Sequence, residues 1–155
     1  MKRANGVSML WAAFGAAVGS TVVELLLWAI AGDDAVRNLL RDARLTAAIV
    51  MGRSVLDTSG GFDPLVMGVA TFVHAALSLI YAAAVARLVR SLSCVAALLA
   101  GGAFGLLLYG VNLYGFTAIF PWFIPVRGAI TLIAHLVFGM TAASIYCVAR
   151  RHATR

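Results

Sequence analysis

Residues 64–88 read PLVMGVATFVHAALSLIYAAAVARL, a run in which no charged residue appears before Arg87. At 1.5 Å per residue it makes about 37 Å of helix, enough to cross a hydrocarbon core about 30 Å thick. Asp63 supplies a capping side chain, and Pro64 is the residue best suited to the first helical position, so the start of this span is marked as well as its length. Three more runs of similar length and character lie at 7–31, 94–118 and 126–148. The expected fold is therefore all-α, a bundle of four transmembrane helices in a single membrane domain.

Composition agrees. The chain has 155 residues, 63% hydrophobic and only 12% charged, against about 25% charged in an ordinary soluble domain. Four spans use most of that length and leave no room for a folded domain outside the bilayer. The apolar run that follows Lys2 and Arg3 far exceeds the ~7–15 residues of a signal-peptide core, and Glu24 sits inside it, so it is read as a retained helix. A net charge of +6 would point a soluble protein toward nucleic acid, but here the distribution of Lys and Arg between the loops is the informative quantity, and no nucleic-acid partner is expected. Lys2, Arg3, Arg87, Arg90, Arg150, Arg151 and Arg155 fall on one side of the four-span topology. The other side has Arg37, Arg41, Arg44, Arg53 and Arg127 balanced by Asp33, Asp34, Asp42, Asp57 and Asp63. The positive-inside rule makes the first side cytoplasmic, with both termini there, in a bacterial inner membrane. Cys94 and Cys147 fall near span ends on that side and are expected to be reduced and structural.

The long connection after span one is patterned. Asp33 and Asp34 can cap a helix, and Leu45, Ala48, Ile49, Gly52, Val55 and Leu56 recur at helical spacing against Arg41, Arg44 and Arg53. Residues 33–56 thus read as an amphipathic helix at the outer interface, followed by a turn over 57–61. The second outer connection carries Phe120-Pro121-Trp122-Phe123, an aromatic corner that two prolines keep out of regular helix. Gly15 with Gly19 and Gly101 with Gly105 have the spacing that lets helix backbones approach closely, within the monomer or between copies.

Polar side chains inside a span are costly and by default face inward and pair. Counted from the outer end of each span, Glu24, His74, Asn112 and His135 share a level about 9–15 Å deep. Ser78 and Tyr81 continue the His74 stripe, Tyr109 precedes Asn112 by three residues, and Arg127 lies near the outer surface above His135. With Pro121 and Trp122 as an outer gate, this cluster supports three readings. It moves a proton or small solute, by titration of Glu24 and a histidine. It binds b-type haem or a metal through His74 and His135. Or it is a hydrogen-bonded structural core with no ligand. No nucleophile, base and orienting group stand together convincingly, so an enzyme is not expected, nor a cofactor in the first reading. The expected partners are the bilayer and either further copies of the chain or a larger membrane complex in which it is an accessory subunit.

His74-Ala-Ala-Leu-Ser78-Leu-Ile-Tyr81, Leu99-Ala100-Gly101, Phe120-Pro121-Trp122-Phe123, Ala134-His135 and Tyr146 before the basic tail together span about half the chain. In these motifs the sequence resembles the small bacterial inner-membrane proteins of the YagU type. The resemblance implies membrane location and fold, and leaves the chemistry open. Proteins of that type often carry the label sodium:proline symporter. Symporters of that kind are far larger, and four spans would reach a transporter core only by oligomerisation.

Overall fold

The computed structural model describes residues 2–56 and 61–153. Five helices follow one another: α1 (Lys2–Ala31), α2 (Ala35–Met51), α3 (Pro64–Val89), α4 (Cys94–Gly110) and α5 (Ala129–Ala153). A 3-10 turn at Arg53–Leu56 follows α2. Between α4 and α5 come a π-helical turn at Val111–Gly115 and 3-10 turns at Phe116–Ala118 and Pro121–Val126. Four stretches are long and apolar enough to cross a membrane: Gly6–Ala31, Pro64–Val89, Cys94–Ala118 and Ala129–His152, with mean hydropathy from 1.8 to 2.1. The chain is an all-α, four-span membrane protein. Within the apolar stretch of each span only 22% to 39% of the residues are buried, and Trp11, Phe14, Phe72, Ile80 and Leu99 are exposed as a surface suited to lipid.

The helix starts are set locally. Asp34 accepts a hydrogen bond from the Arg37 N–H at 2.9 Å, Asp63 accepts from Leu65 and Val66 ahead of α3, and Ser93 accepts from Ala96 at the start of α4. Each such cap is worth about 1 kcal/mol. Gly32 and Gly52 have φ of +80° and +83°, left-handed values that favour glycine, and they stop α1 and α2. Of the expected turn over 57–61, only Gly61 lies within the described residues. The last span starts at Ala129, later than expected, because residues 121–126 wind as a 3-10 turn and Arg127 is extended.

Helix α5 is the centre of the bundle, packed along much of its length on α1 and α4, while α3 lies mainly against α1 and α2 and barely touches α4. Glycines explain the closest crossing. A Cβ on Gly105 would run into the His135 carbonyl, and one on Gly101 would run into the Gly139 carbonyl. Gly15 faces the tip of Ile145 and Gly19 faces Thr141. Both glycine pairs are thus spent on α5 within the chain. Two apolar clusters result. One gathers Ala12, Ala16, Val85, Val89, Ala142, Tyr146 and Cys147 toward the face that carries the termini. The other packs Ala47, Ala48 and Val55 against Val66 and Ala70, holding α2 on α3 at the opposite face.

One expectation is corrected. Cys94 and Cys147 are not free thiols but a disulfide, with their Cα atoms 5.8 Å apart, which ties the start of α4 to the last turns of α5. Beside it Arg150 donates to the carbonyls of Val89, Arg90 and Leu92, so that one guanidinium closes the tight turn between α3 and α4. The sequence separation of 53 residues hides the pairing; only the antiparallel packing of α4 on α5 brings the two cysteines to one level.

Candidate functional site

At the α2 face, a cavity of about 330 Å³ opens between the end of α1, helix α2 and the segment leading into α5. Trp28, Asn38 and Arg41 form one wall, and Arg127 and Thr131 the other, with Asp33 at the rim. The expected gate residues lie to one side of it. Pro121 opens its 3-10 turn, and the Trp122 indole N–H donates to the Leu45 carbonyl at 3.1 Å while Arg53 lies over its ring, 5.6 Å from the centroid. These contacts pin the aromatic corner to α2. Buried Arg44 adds to the same cap by donating to the carbonyls of Val55 and Gly61.

From the cavity a line of polar groups enters the bundle. Thr131, in the first turn of α5, donates from its hydroxyl to Glu24 Oε1 on α1 at 3.4 Å. One turn deeper, His135 Nδ1 is 2.8 Å from the Thr131 carbonyl. Its other ring nitrogen, Nε2, is 3.3 Å from the Asn112 side-chain amide nitrogen. Asn112 Oδ1 accepts from the Tyr81 hydroxyl at 2.9 Å. The line therefore crosses four spans: Glu24 on α1, Thr131 and His135 on α5, Asn112 beyond α4, and Tyr81 on α3. It stops at Tyr81, whose ring meets Phe138 edge-on with centroids 6.4 Å apart. Below that point the interior is apolar down to the disulfide.

The remaining expected residues take different places. Tyr109 sets its ring edge-on to His135, 5.7 Å between centroids, and its hydroxyl accepts from the Gly128 N–H just ahead of α5. Ser78 is buried one turn from Tyr81 on α3. His74 has the right depth but the wrong direction. Its side chain is exposed on the flank of α3, without a hydrogen-bond partner among the described residues. The charges around Glu24 come from α2, where Asp42 and Arg41 act on it electrostatically. Arg41 Nε donates to Asp42 at 2.7 Å. Burial pushes the Asp42 carboxyl above the usual carboxylate range, and Arg41 opposes that shift.

Thr131, which the helical spacing places one turn before His135 on the same face, joins Glu24 to His135 through its hydroxyl and its carbonyl. One feature escapes a reading of the sequence: the π-helical turn carrying Asn112, in which the Phe116 N–H reaches back to the Val111 carbonyl. Such turns insert one extra residue and free a backbone carbonyl. Here Arg127 takes advantage of it, donating from Nε to the Leu113 carbonyl at 2.7 Å and from Nη2 to Thr117 at 2.8 Å, with its guanidinium 4.3 Å from the Tyr114 ring centroid. The only sequence signal is the pair Gly110 and Gly115 that brackets the turn.

The arrangement does not suit haem ligation, since both ring nitrogens of His135 are engaged and His74 faces away. Among the described residues no group of three or more His, Cys, Asp or Glu side chains converges as a metal ion needs. The line is not a proton wire, since the Thr131 carbonyl only accepts; it joins three titratable groups, Glu24, His135 and Tyr81, through Thr131 and Asn112. No family model, curated protein or solved structure matches the chain.

Proposed function

We propose that this is a non-enzymatic membrane protein of the bacterial inner membrane, with the α2 face outward. In this reading it takes a proton, or a small polar solute with one, from the outer cavity onto the Glu24–His135 line. The observation that carries it is that two groups able to take a proton, Glu24 and His135, lie directly behind the cavity wall at Thr131, which bonds to both, in a hydrogen-bonded set that reaches Tyr81 in the middle of the bundle. An ionisable carboxylate inside a span is functional by default, and a purely structural cluster has no need of a cavity above it. The apolar lower half makes the single chain an entry path that ends at mid-membrane. Completing a crossing requires a second conformation or a partner.

Proteoliposomes enclosing a pH-sensitive dye test this. Wild-type protein gives a pH-driven signal that Glu24→Gln abolishes while its melting temperature stays near the wild-type value. Unchanged flux in Glu24→Gln refutes the role of Glu24, and loss of stability without any flux in the wild type supports the structural cluster instead.

A second reading rests on His74. A polar side chain on the exposed flank of a span is costly in lipid, so the α3 flank favours an accessory role in a larger membrane assembly or in an oligomer. A stable partner or a defined oligomer in mild detergent, lost on His74→Leu, is the expected result.

A further inference from the structure

The hydrogen bonds around Asn112 fit together in one sense only. The Thr131 carbonyl is a pure acceptor, so His135 Nδ1 carries the hydrogen that bridges the 2.8 Å between them. Neutral His135 then has a lone pair at Nε2. That lone pair needs a donor, and the Asn112 NH₂ supplies it at 3.3 Å. The amide oxygen is left to accept from Tyr81 at 2.9 Å.

Adding a proton at Nε2 breaks this pattern, because both ring nitrogens of an imidazolium are donors. An N–H would then face an NH₂. The acceptor within reach is the other end of the same amide, and a half-turn about the Asn112 side-chain torsion brings Oδ1 to Nε2–H. The NH₂ is thereby aimed at the Tyr81 hydroxyl oxygen, which must change from donor to acceptor and turn its hydrogen away. Asn112 suits this because an amide offers a donor and an acceptor of nearly the same shape. An aspartate in its place only accepts, and a leucine does neither.

We propose that Asn112 is a two-position switch: protonation of His135 at Nε2 turns the Asn112 amide over and reverses its hydrogen bond with Tyr81, carrying the charge state of α5 to α3. This deepens the proton reading and rests on a proton reaching His135 from the cavity. The other titratable and charged groups around the site are Glu24 from α1, Tyr109 from α4 and, through Glu24, Arg41 and Asp42 from α2, while His74 on the exposed flank of α3 acts on His135 through its charge alone. The π-helical turn gives the amide its place, since Asn112 lies within that turn.

Nitrogen-15 NMR of the full chain in lipid nanodiscs, with labelled His and Asn and carbon-13 at the Tyr ring, tests this without any flux measurement. At high pH the bare nitrogen of His135 is Nε2, the minority tautomer of free imidazole. As the pH falls, the His135 nitrogens, the Asn112 amide and the Tyr81 ring carbon shift together with one midpoint. In Tyr81→Phe the His135 and Asn112 shifts remain coupled. If His135 titrates while Asn112 and Tyr81 stay fixed, the switch is wrong and the proton reading stands. If His135 carries its hydrogen on Nε2 at high pH, or does not titrate, the switch is overturned, and in the latter case His135 is no proton site.

Discussion

Replacing Gly105 by alanine adds a single methyl at the closest point between α4 and α5. That methyl would overlap the His135 carbonyl oxygen, with the carbonyl carbon at 2.9 Å and the Leu136 Cα at 3.0 Å. Non-bonded carbons settle near 3.5 Å or beyond, so the two backbones must part by roughly half an ångström or more. None of the neighbours is a flexible side-chain end that can swing clear. Overpacking of this kind costs about 1–3 kcal/mol, and the gain of about 1 kcal/mol from removing a helix-interior glycine offsets part of it. The net loss is up to about 2 kcal/mol, and the deficit against an alanine that meets no clash is about 1–3 kcal/mol. Gly19→Ala is the control, since its methyl would sit 3.8 Å from Thr141, an ordinary contact, and it leaves stability unchanged or slightly raised. Titrating each variant from mild detergent into SDS while following tryptophan fluorescence gives the comparison. Parting α4 from α5 also stretches the Asn112 to His135 contact, already 3.3 Å, so the His135 nitrogen resonances shift in Gly105→Ala and not in Gly19→Ala. Equal stability of the two variants would refute the account of the crossing.

Arg127→Lys keeps the charge but loses the fork shared by the Leu113 carbonyl and Thr117; a loss of about 1.5–3 kcal/mol and faster amide exchange over residues 111–117 are expected. Because burial raises the Asp42 carboxyl in the folded protein, the folded state holds that proton more tightly than the unfolded chain. Asp42 therefore makes stability fall as pH rises through its raised pKa, and Asp42→Asn flattens that slope in melting curves taken from acidic to neutral pH. Breaking the disulfide with Cys94→Ser and Cys147→Ser would cost about 4 kcal/mol for a free chain closed over such a loop. The two helices stay inserted when the bundle loosens, which already limits the separation of their ends, so the measured loss in SDS titration is well below that figure. A loss of the full amount would show that the reference state is not membrane-inserted.

Much of the fold is legible in the sequence because its causes are local. Span length is set by bilayer thickness, and the starts at Asp34 and Asp63 are set by side chains within three residues of the N–H groups they cap. The site is legible only in one coordinate. Counting residues places Glu24, His74, Asn112 and His135 at a common depth, but each residue also turns by about 100° around its helix. Direction decides contact: Asn112 and His135 meet, while His74 at the same level points away from them. The Cys94–Cys147 disulfide is hidden for a related reason, since the level at which α4 meets α5 is fixed by the Gly101, Gly105 and Gly139 crossing and not by anything near either cysteine.

The π-helical turn makes the third span sensitive to a one-residue edit. Removing Tyr114 would let 111–115 relax into ordinary α-helix, which absorbs the lost residue and keeps the residues on either side near their present faces. The carbonyl that the turn frees would then be reclaimed by the helix, and Arg127 would lose the acceptor it finds at Leu113. A length change elsewhere on the α2 face shifts a loop, whereas here it changes which backbone carbonyls of a span are free to bind a side chain. In a comparison of related chains, a single gap between Gly110 and Gly115 would mark the loss of the Arg127 anchor even where every polar residue of the line is still present.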